Sequence, residues 1–413
     1  MSRALFACCL LLVLALGACQ SRPAVEGSVA LRVATYNIED IRTLDLLDPE
    51  QPRLQAAAAL IQQVQPDVIL LNEFTVDQPG DPGYTEGGIA QNGQRFADGF
   101  LAVSQGPGLE PIAYQAFMPL TNTGIASGFD LNNDGLTVTS HPPPPSTNPD
   151  GSPGPQTDGG RAYGEDAWGF GTFPGQYGMA LLVREGLDLR AQEVRTFREL
   201  PWSLMPGAVL PTDPETQRPW YDGAEADAFR LSSKTHADVP VRLPNGVTVH
   251  LLISHPTPPA FDGPEARNQR RNHDEIRLWA DYLDGADYLV DDTGTPGGLP
   301  PEAPFLILGD LNADPDEGNA YQNPIETFLL AHPRINSTIV PEASADGLAA
   351  YPDLDADDTA EWGLRVDYVL PSRNIHVLEG RVERPPAPDG VPVSDHFLVW
   401  LDVEVHVPND GAR

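Results

Sequence analysis

The chain has 413 residues, with 59 aspartates and glutamates against 25 lysines and arginines, and a formal net charge of −34. A charge of this sign disfavours non-specific attraction to nucleic acid or to anionic lipid. Lys234 is the only lysine, so any recognition of an anion would depend on local, forked contacts from arginines.

The first residues predict an exported protein. A short basic head, Met1–Arg3, precedes an apolar stretch around Leu10–Leu16 that is too short to span a bilayer, which is typical of a signal peptide. Leu16-Gly17-Ala18-Cys19 has the form of a bacterial lipoprotein cleavage site. We expect residues 1–18 to be removed and Cys19 to be lipidated, which would anchor the protein to the cell envelope at the outer membrane, in the periplasm or at the cell surface. An ordinary secretory signal is the alternative.

The cysteines exclude a disulfide framework. Cys8 and Cys9 lie in the predicted signal peptide, so the mature chain would keep only Cys19. We expect residues 19–29 to form a tether and residues 30–407 to form a single domain, because the residues suited to one site are spread over that whole length.

The domain begins with a predicted strand-helix-strand unit. Leu31–Asn37 is a short apolar run typical of a buried strand, and a second such run leads to Glu73. Between them, apolar residues recur at i, i+3, i+4 and i+7 and predict a helix over Gln51–Gln65, followed by a strand after Pro66.

An insertion is predicted at about residues 76–175, which are rich in glycine, proline, asparagine and aspartate. We expect a loop that covers the site. Within it, Asp130, Asn132 and Asp134 match the first half of a calcium-binding loop, although His141 stands where a bidentate glutamate is needed. The two interpretations are a structural Ca²⁺ site with a further ligand from elsewhere and an Asx turn.

The next predicted strands are Met179–Val183 and Val247–Ile253, and the second delivers His255 at its end. An amphipathic helix follows over about Pro264–Leu283. Its first half contains three arginines that could clamp a substrate phosphate or lie on a charge-paired helix surface: Arg267, Arg270 and Arg271.

The last part of the chain supplies further polar residues at strand ends. Gly309-Asp310-Leu311-Asn312 ends one apolar run, Asp367 lies in another, and Ser394-Asp395-His396 precedes a third. Polar groups at the ends of buried strands collect along one rim of a sheet. Carboxylates, amides and imidazoles at such a rim suit metal-assisted attack of water on phosphate.

The order of Asn37, Glu73, Gly309-Asp310-Leu311-Asn312 and Ser394-Asp395-His396 resembles the endonuclease/exonuclease/phosphatase superfamily, the deoxyribonuclease-I-like hydrolases. The resemblance implies an α/β (α+β) fold: a four-layer sandwich of two packed mixed β-sheets flanked by helices. The active site would lie between the strand ends.

The resemblance and the residue chemistry together suggest roles for the site residues. Mg²⁺ or Mn²⁺ would be bound by residues drawn from Asn37, Glu73, Asp310 and Asp395. Asp310 would activate the attacking water and Asn312 would steady it or the phosphate.

Two histidines complete the expected site. His396, with its ring held by Asp367, would stabilise charge in the transition state, although a lone histidine in such surroundings is more often a core residue. His255 would contact the phosphate or, alternatively, end a polar turn. Tyr177 would lie near the site, with core packing as an equal alternative.

These residues predict a metal-dependent phosphoester hydrolase of the cell envelope, first of all a phosphodiesterase or nuclease. The alternatives are a phosphomonoesterase or a small-diester hydrolase resembling those for inositol phosphates or sphingomyelin, and a non-catalytic protein that binds calcium or a partner. A basic groove would favour nucleic acid, whereas a closed pocket roofed by residues 76–175 would favour a small substrate. The sequence predicts membrane contact only through Cys19 and identifies no protein partner.

Overall fold

A computed structural model of the chain describes residues 27–85, 91–385 and 393–407. The predicted signal peptide, Cys19 and most of the predicted tether lie outside the described residues. The strands are β1 Ser28–Ile41, β2 Val68–Phe74, β3 Tyr114–Phe117, β4 Met179–Arg184, β5 Asp188–Leu189, β6 Arg195–Thr196, β7 Ala237–Arg242, β8 Thr248–Ile253, β9 Phe305–Asp310, β10 Glu342–Ala343, β11 Asp367–Pro371, β12 Ile375–Glu383 and β13 Leu398–His406. The α-helices are α1 Thr43–Leu46, α2 Pro52–Val64, α3 Asn92–Phe96, α4 Asp158–Glu165, α5 Gly223–Ala228, α6 Arg267–Asp284 and α7 Ala345–Ala350.

The strands form two mixed sheets. The first has the order β10-β12-β13-β1-β2-β4-β3, and the second has the order β11-β9-β8-β7-β5 with β6 paired to β7. The parallel pairs β1/β2 and β8/β9 lie near the middle of their sheets, and their neighbours run antiparallel. Parallel strands are usually buried on both faces, which explains the short, continuous apolar runs in the sequence.

Alternate residues of each central strand face different cores. In β2, Val68 and Leu70 join the apolar layer between the two sheets, whereas Ile69 and Leu71 join the layer beneath α2. A third apolar cluster lies between the second sheet and α6. The order is therefore helix, sheet, sheet, helix, and the predicted four-layer sandwich is confirmed.

Capping explains where α2 begins, and an apolar stripe explains how α6 packs. In α2 the Gln51 side chain accepts hydrogen bonds from the backbone N–H groups of Arg53 and Leu54, and Pro52 occupies the first turn, where its missing N–H costs nothing. In α6 the buried stripe includes Ile276, Trp279 and Leu283, as the sequence periodicity predicts. Within the described part of the chain, none of the helices has the length and apolar character needed to cross a membrane.

The segment predicted as an insertion contributes more to the fold than a loop would. Residues 92–101 form α3 and a π-helical turn whose Phe96 and Phe100 enter the core beneath the first sheet, and β3 is that sheet's edge strand. A four-residue edge strand among glycines and prolines carries too little periodicity to be recognised in the sequence. The later part, including α4, lies over the predicted site.

Gly309, the next-to-last residue of β9, occupies a position that has no room for a side chain. Its φ is +146°, and a Cβ atom there would lie 1.9 Å from the carbonyl oxygen of Ser254. We expect Gly309→Ala to lower the free energy of unfolding by at least ~3 kcal/mol, because the strand must shift to relieve the clash. Gly246, with φ +85° and no neighbour near its absent Cβ, is the control. Urea denaturation should show a loss of only about 1 kcal/mol for Gly246→Ala; equal losses for both variants would contradict the close approach.

The buried His236 makes the free energy of unfolding depend on pH at acidic values. Its ring is fully buried against Trp279, bonded to Ser232 Oγ at 2.7 Å and to the carbonyl oxygen of Glu275 at 2.9 Å, and burial lowers its pKa to about 4. The imidazole of His236 binds a proton more readily in the unfolded chain than in the folded one. Its contribution to the stability of the folded state is therefore complete above pH 6.5 and is lost as pH falls towards 4. We expect about 3 kcal/mol of acid destabilisation from this group. His236→Gln should therefore show a shallower dependence of unfolding free energy on pH across that window, and an unchanged slope would contradict this account.

Candidate active site

The ends of several strands meet at one edge of the sandwich. Asn37 of β1 pairs in parallel register with Asn72, which places Glu73 beside it. In the second sheet Asp310 of β9 lies directly opposite Asp367 of β11. His396 comes just before β13, whose first residues pair with the later part of β1. The polar residues predicted at five strand ends are thus brought together by both sheets.

The Asn37 side chain joins the two sheets. Its fully buried Nδ2 donates to Glu73 Oε1 at 3.2 Å and to Asp310 Oδ2 at 3.0 Å. The other oxygen of Glu73 accepts from the backbone N–H of Asp40 at 3.1 Å. That N–H is available because β1 is irregular here, with left-handed backbone at Glu39 and Asp40, as is common for bulges beside active sites.

Asp310 lies at the centre of the cluster. Its Oδ1 accepts from the backbone N–H of Asn312 at 2.9 Å, and its Oδ2 lies 3.4 Å from His255 Nε2 and 3.7 Å from His396 Nε2. Two residues farther on, Asn312 would project to the same side as Asp310 if the strand continued. Instead β9 ends at Asp310, and Asn312 has left-handed backbone and donates its side-chain amide to the carbonyl oxygen of Pro256 at 3.1 Å. Both side chains line the same cavity.

His396 is held by two aspartates of the second sheet. Its Nδ1 donates to Asp367 Oδ2 at 2.8 Å, and its Nε2 faces Asp310. Asp395 lies farther off, at 3.9 Å from Nε2, with its side chain about half exposed at the cavity edge. Burial by itself would lower the pKa of His396, but the charges of Asp367 and Asp310 overcome it and raise that pKa to about 10. The ring is therefore a buried imidazolium at neutral pH.

Burial also shifts the pKa values of other ionisable groups at the site. Burial raises the pKa of Glu73 to about 7 and that of Asp310 to about 6, against the opposing charge of His396. Burial, with the nearby charges of Lys234 and His396, lowers the pKa of His255 well below its usual value. At neutral pH the site thus pairs one charged histidine with one neutral histidine.

The donor set fits a divalent cation. Asp310 is buried and Glu73 half-buried, and the charged forms of both carboxylates are favoured only by hydrogen-bond donors and one imidazolium, so a hard cation would supply the missing charge. Among the described residues, one group of three acids and histidines, Asp310, Asp367 and His396, places ligand atoms within 4.8 Å of one another. In that group, however, Asp367 and His396 are already hydrogen-bonded to each other. We therefore give more weight to Glu73 and Asp310 as ligands.

Four site residues were not singled out from the sequence. Glu39 and Asp40 line the cavity directly after Asn37, and the fully buried Lys234 donates to the carbonyl oxygen of Pro256 at 3.3 Å. Glu275 of α6 accepts from the backbone N–H groups of Ser233 and Thr257, both at 2.6 Å, and so fixes the loops that present Lys234 and His255. A lysine that is unique in the chain was a usable signal; Glu275 gave none beyond its place in a helix.

Each of the three arginines predicted as a phosphate clamp or a charge-paired helix surface has a partner within the protein, and phosphate binding by them stays a prediction. Arg267 binds Glu165 and the carbonyl oxygen of Leu131, and Arg271 donates to three carbonyl oxygens across the loops. Arg270 stacks on Tyr321 with its guanidinium 4.9 Å from the ring and does not line the cavity. Arg267 also pairs with Glu265 at 3.6 Å, as a charge-paired helix surface would, and the bonds of Arg271 hold the helix against its loops.

Two other predictions concern single features. Tyr177 lines the cavity, with its hydroxyl accepting from Gln156 Nε2 at 2.9 Å, so it lies near the site as expected. In the calcium-like loop, Asp130 accepts from the backbone N–H groups of Asp134 and Gly135 at 3.1 and 2.8 Å. Asn132 and Asp134 also accept from backbone N–H groups of the loop. This bonding is that of an Asx turn, and calcium binding stays a prediction.

A cavity of about 970 Å³ opens over the cluster. Its floor includes Glu73, His255, Asp310 and His396. Residues 153–170, from the later part of the predicted insertion, supply one wall, and the loop at Thr257–Phe261 supplies another. The arrangement can hold a phosphoryl group against an imidazolium and a carboxylate while the walls surround its substituents.

Comparison with known proteins identifies the family. A model described as the endonuclease/exonuclease/phosphatase family matches residues 34–396. Among solved structures, an endonuclease/exonuclease/phosphatase from Beutenbergia cavernae is 17% identical, with 93% of this chain and 74% of that chain covered and a TM-score of 0.50. A family protein from Bacteroides thetaiotaomicron is 14% identical, covering 94% of this chain and 99% of its own, with a TM-score of 0.43. The human nocturnin catalytic domain is 16% identical, covering 91% and 93%, with a TM-score of 0.44.

A search of curated proteins gave no significant match. The Beutenbergia cavernae structure supports the fold, and the family model spans nearly all of the sandwich, from β1 to His396. The family resemblance inferred from residues at scattered strand ends is thereby confirmed: the chain belongs to the endonuclease/exonuclease/phosphatase family.

Proposed function

We propose that the protein is a metal-dependent phosphoester hydrolase acting on phosphodiesters, with Mg²⁺ or Mn²⁺ as the cation. The observation that supports this most strongly is the unbroken set of contacts from Glu73 through Asn37 to Asp310, and on through His396 to Asp367. Burying this many ionisable groups together costs stability, and clusters of this kind are found mostly at functional sites.

Each residue has a distinct role in the proposed reaction. Glu73 and Asp310 would hold the cation with Asn37 fixing both carboxylates, and Asp395 would act from the cavity edge. When bound, the cation would neutralise charge on the phosphoryl oxygens. Asp310 would take a proton from the attacking water, while Asn312 steadies the water or the phosphate.

The histidines would act on the phosphate itself. Water attacks phosphorus as Asp310 takes its proton, the ester P–O bond breaks, and the leaving alkoxide takes up a proton from solvent, so that the products are a phosphomonoester and an alcohol. His396, kept charged by Asp367, would stabilise the negative charge that develops. His255, kept neutral, would contact a phosphoryl oxygen through a ring nitrogen that carries hydrogen.

A substrate panel tests this proposal. Purified parent protein and His396→Ala would be compared on plasmid DNA, bis-4-nitrophenyl phosphate, 4-nitrophenyl phosphate and sphingomyelin, with and without Mn²⁺ or Mg²⁺. We expect metal-dependent turnover of at least one diester by the parent and its loss in the variant. Turnover of the monoester alone would favour a phosphomonoesterase. No metal-dependent turnover of any substrate would contradict the proposal and favour a calcium- or partner-binding protein on the same fold.

We propose in addition that the protein is exported and lipid-anchored through Cys19, on the basis of Leu16-Gly17-Ala18-Cys19. Expression in a bacterial host with labelled palmitate should label the parent but not Cys19→Ser. Absence of label from the parent would contradict the anchor.

A further inference from the structure

Resting on the proposed function, we propose that the substrate is a small phosphodiester that carries a single phosphate and a bulky apolar substituent. The phosphate would lie over Asp310 and His396, and the substituent would fill the apolar part of the cavity. Three features of the cavity lead to this substrate class: its cations, its acids and its exposed aromatic side chains.

The cationic residues that line the cavity are already engaged. Arg267 binds Glu165 and Glu265, Arg271 donates to backbone carbonyl oxygens, and the buried Lys234 donates to the carbonyl oxygen of Pro256. Arg161 is exposed and pairs with Asp158 at 3.2 Å. Binding a nucleic acid or a polyphosphate requires several free cations beyond the reacting phosphate. The cavity as described offers no such row.

The acids around the cavity limit the charge of the substrate further. Glu39 and Asp395 line it together with Glu73 and Asp310, and so do Asp40 and Glu165, which are paired with Arg42 and Arg267. A phosphomonoester is a dianion near neutral pH, whereas a diester carries one negative charge. With this many carboxylates and one buried imidazolium, the diester meets less repulsion.

Exposed aromatic side chains form an apolar wall of the cavity, and this wall favours a substrate with an apolar substituent. Phe261 is 91% exposed, Trp362 49% and Phe170 38%, and all three line the cavity. The Trp362 ring meets the His396 ring edge-on with centroids 4.9 Å apart, so the apolar wall starts beside the predicted reaction centre. Large aromatic side chains left in water at the mouth of a site gain free energy when a ligand covers them.

The size of the cavity agrees with such a ligand. At about 970 Å³ it lies at the upper end of the usual range for small-molecule sites. A phosphodiester group occupies only a fraction of that volume. The remaining space lies between the Thr257–Phe261 loop and the wall formed by residues 153–170, where an alkyl or aryl group would contact Phe170 and Phe261.

A homologous series of substrates tests the proposal. The 4-nitrophenyl phosphodiesters of methanol, butanol and hexanol would be compared in Mn²⁺, below their aggregation concentrations, with a hexyl ester bearing a terminal phosphate. We expect kcat/KM to rise about 10- to 100-fold from methyl to hexyl, because each buried methylene favours binding. The terminal phosphate should abolish most of that gain.

Variants assign the effect to the wall. In Phe170→Ser/Phe261→Ser the hexyl-to-methyl ratio of kcat/KM should fall at least fivefold, whereas Val103→Ser, an exposed apolar residue outside the cavity, should keep the parent ratio. Turnover of all esters at equal kcat/KM, or preference for the ester with two phosphates, would overturn this inference while leaving the proposed hydrolase intact. Failure to hydrolyse even the methyl ester would instead count against the proposed function.

Discussion

Asp310→Asn is expected to reduce kcat/KM for a 4-nitrophenyl phosphodiester by at least about 1,000-fold, which is the effect of losing both a general base and a charge in the transition state. The carboxylate is central to the site: Oδ2 accepts from Asn37 and faces both His255 and His396. An amide of the same shape cannot take a proton from water. It would also present its own N–H group to one of these donors.

The control for Asp310→Asn is Asp402→Asn, on β13 and outside the cavity, where the carboxylate pairs with Arg32 at 2.7 Å. We expect this variant to keep parental kcat/KM. Thermal unfolding of both variants would show that the fold is retained. Activity within about tenfold of the parent in Asp310→Asn would mean that another group activates the water.

Glu73→Gln is expected to raise the Mn²⁺ concentration for half-maximal activity by about 100-fold, because a charged carboxylate ligand is replaced by a neutral amide. The amide can still meet Asn37 and the N–H of Asp40 in part, so the local structure should survive. Excess Mn²⁺ should restore part of the activity, which it would not do for Asp310→Asn.

Metal binding itself gives a readout of Glu73→Gln that does not depend on turnover. Mn²⁺ titrated into the parent and followed by electron paramagnetic resonance should show tight binding that Glu73→Gln weakens by a similar factor. Gln55→Glu, on an outer face of α2, serves as a control for a change of one charge. Identical Mn²⁺ binding by parent and Glu73→Gln would exclude Glu73 as a ligand.

The strand ends could be predicted from the sequence because buried strands have short, continuous apolar sequences. Asn37, Glu73, Asp310 and His396 each adjoin such a run, and the parallel direction of β1 and β2 places Asn37 and Glu73 at the same edge. The four-layer architecture then came from the family resemblance rather than from periodicity, which does not specify the order of strands in a sheet.

The contacts between elements could not be predicted in the same way. The Asn37 amide bridges two sheets, and Glu275 fixes two loops from within a helix; both bonds join residues far apart in sequence. The partners of Arg271 are of the same kind: the sequence left a phosphate ligand and a charge-paired helix surface open, and in the structure the side chain donates to three backbone carbonyl oxygens from distant loops. Partners of this kind are set by tertiary packing, which one sequence does not reveal.

The most direct test of the account is the Mn²⁺ dependence of phosphodiester hydrolysis by metal-stripped protein. After chelation and desalting, the parent should be inactive on 4-nitrophenyl methyl phosphate and should recover on addition of Mn²⁺ or Mg²⁺, whereas Asp310→Asn should stay inactive at every concentration. Full activity in the stripped parent, or recovery of Asp310→Asn alongside it, would contradict a metal-dependent hydrolase built around Asp310.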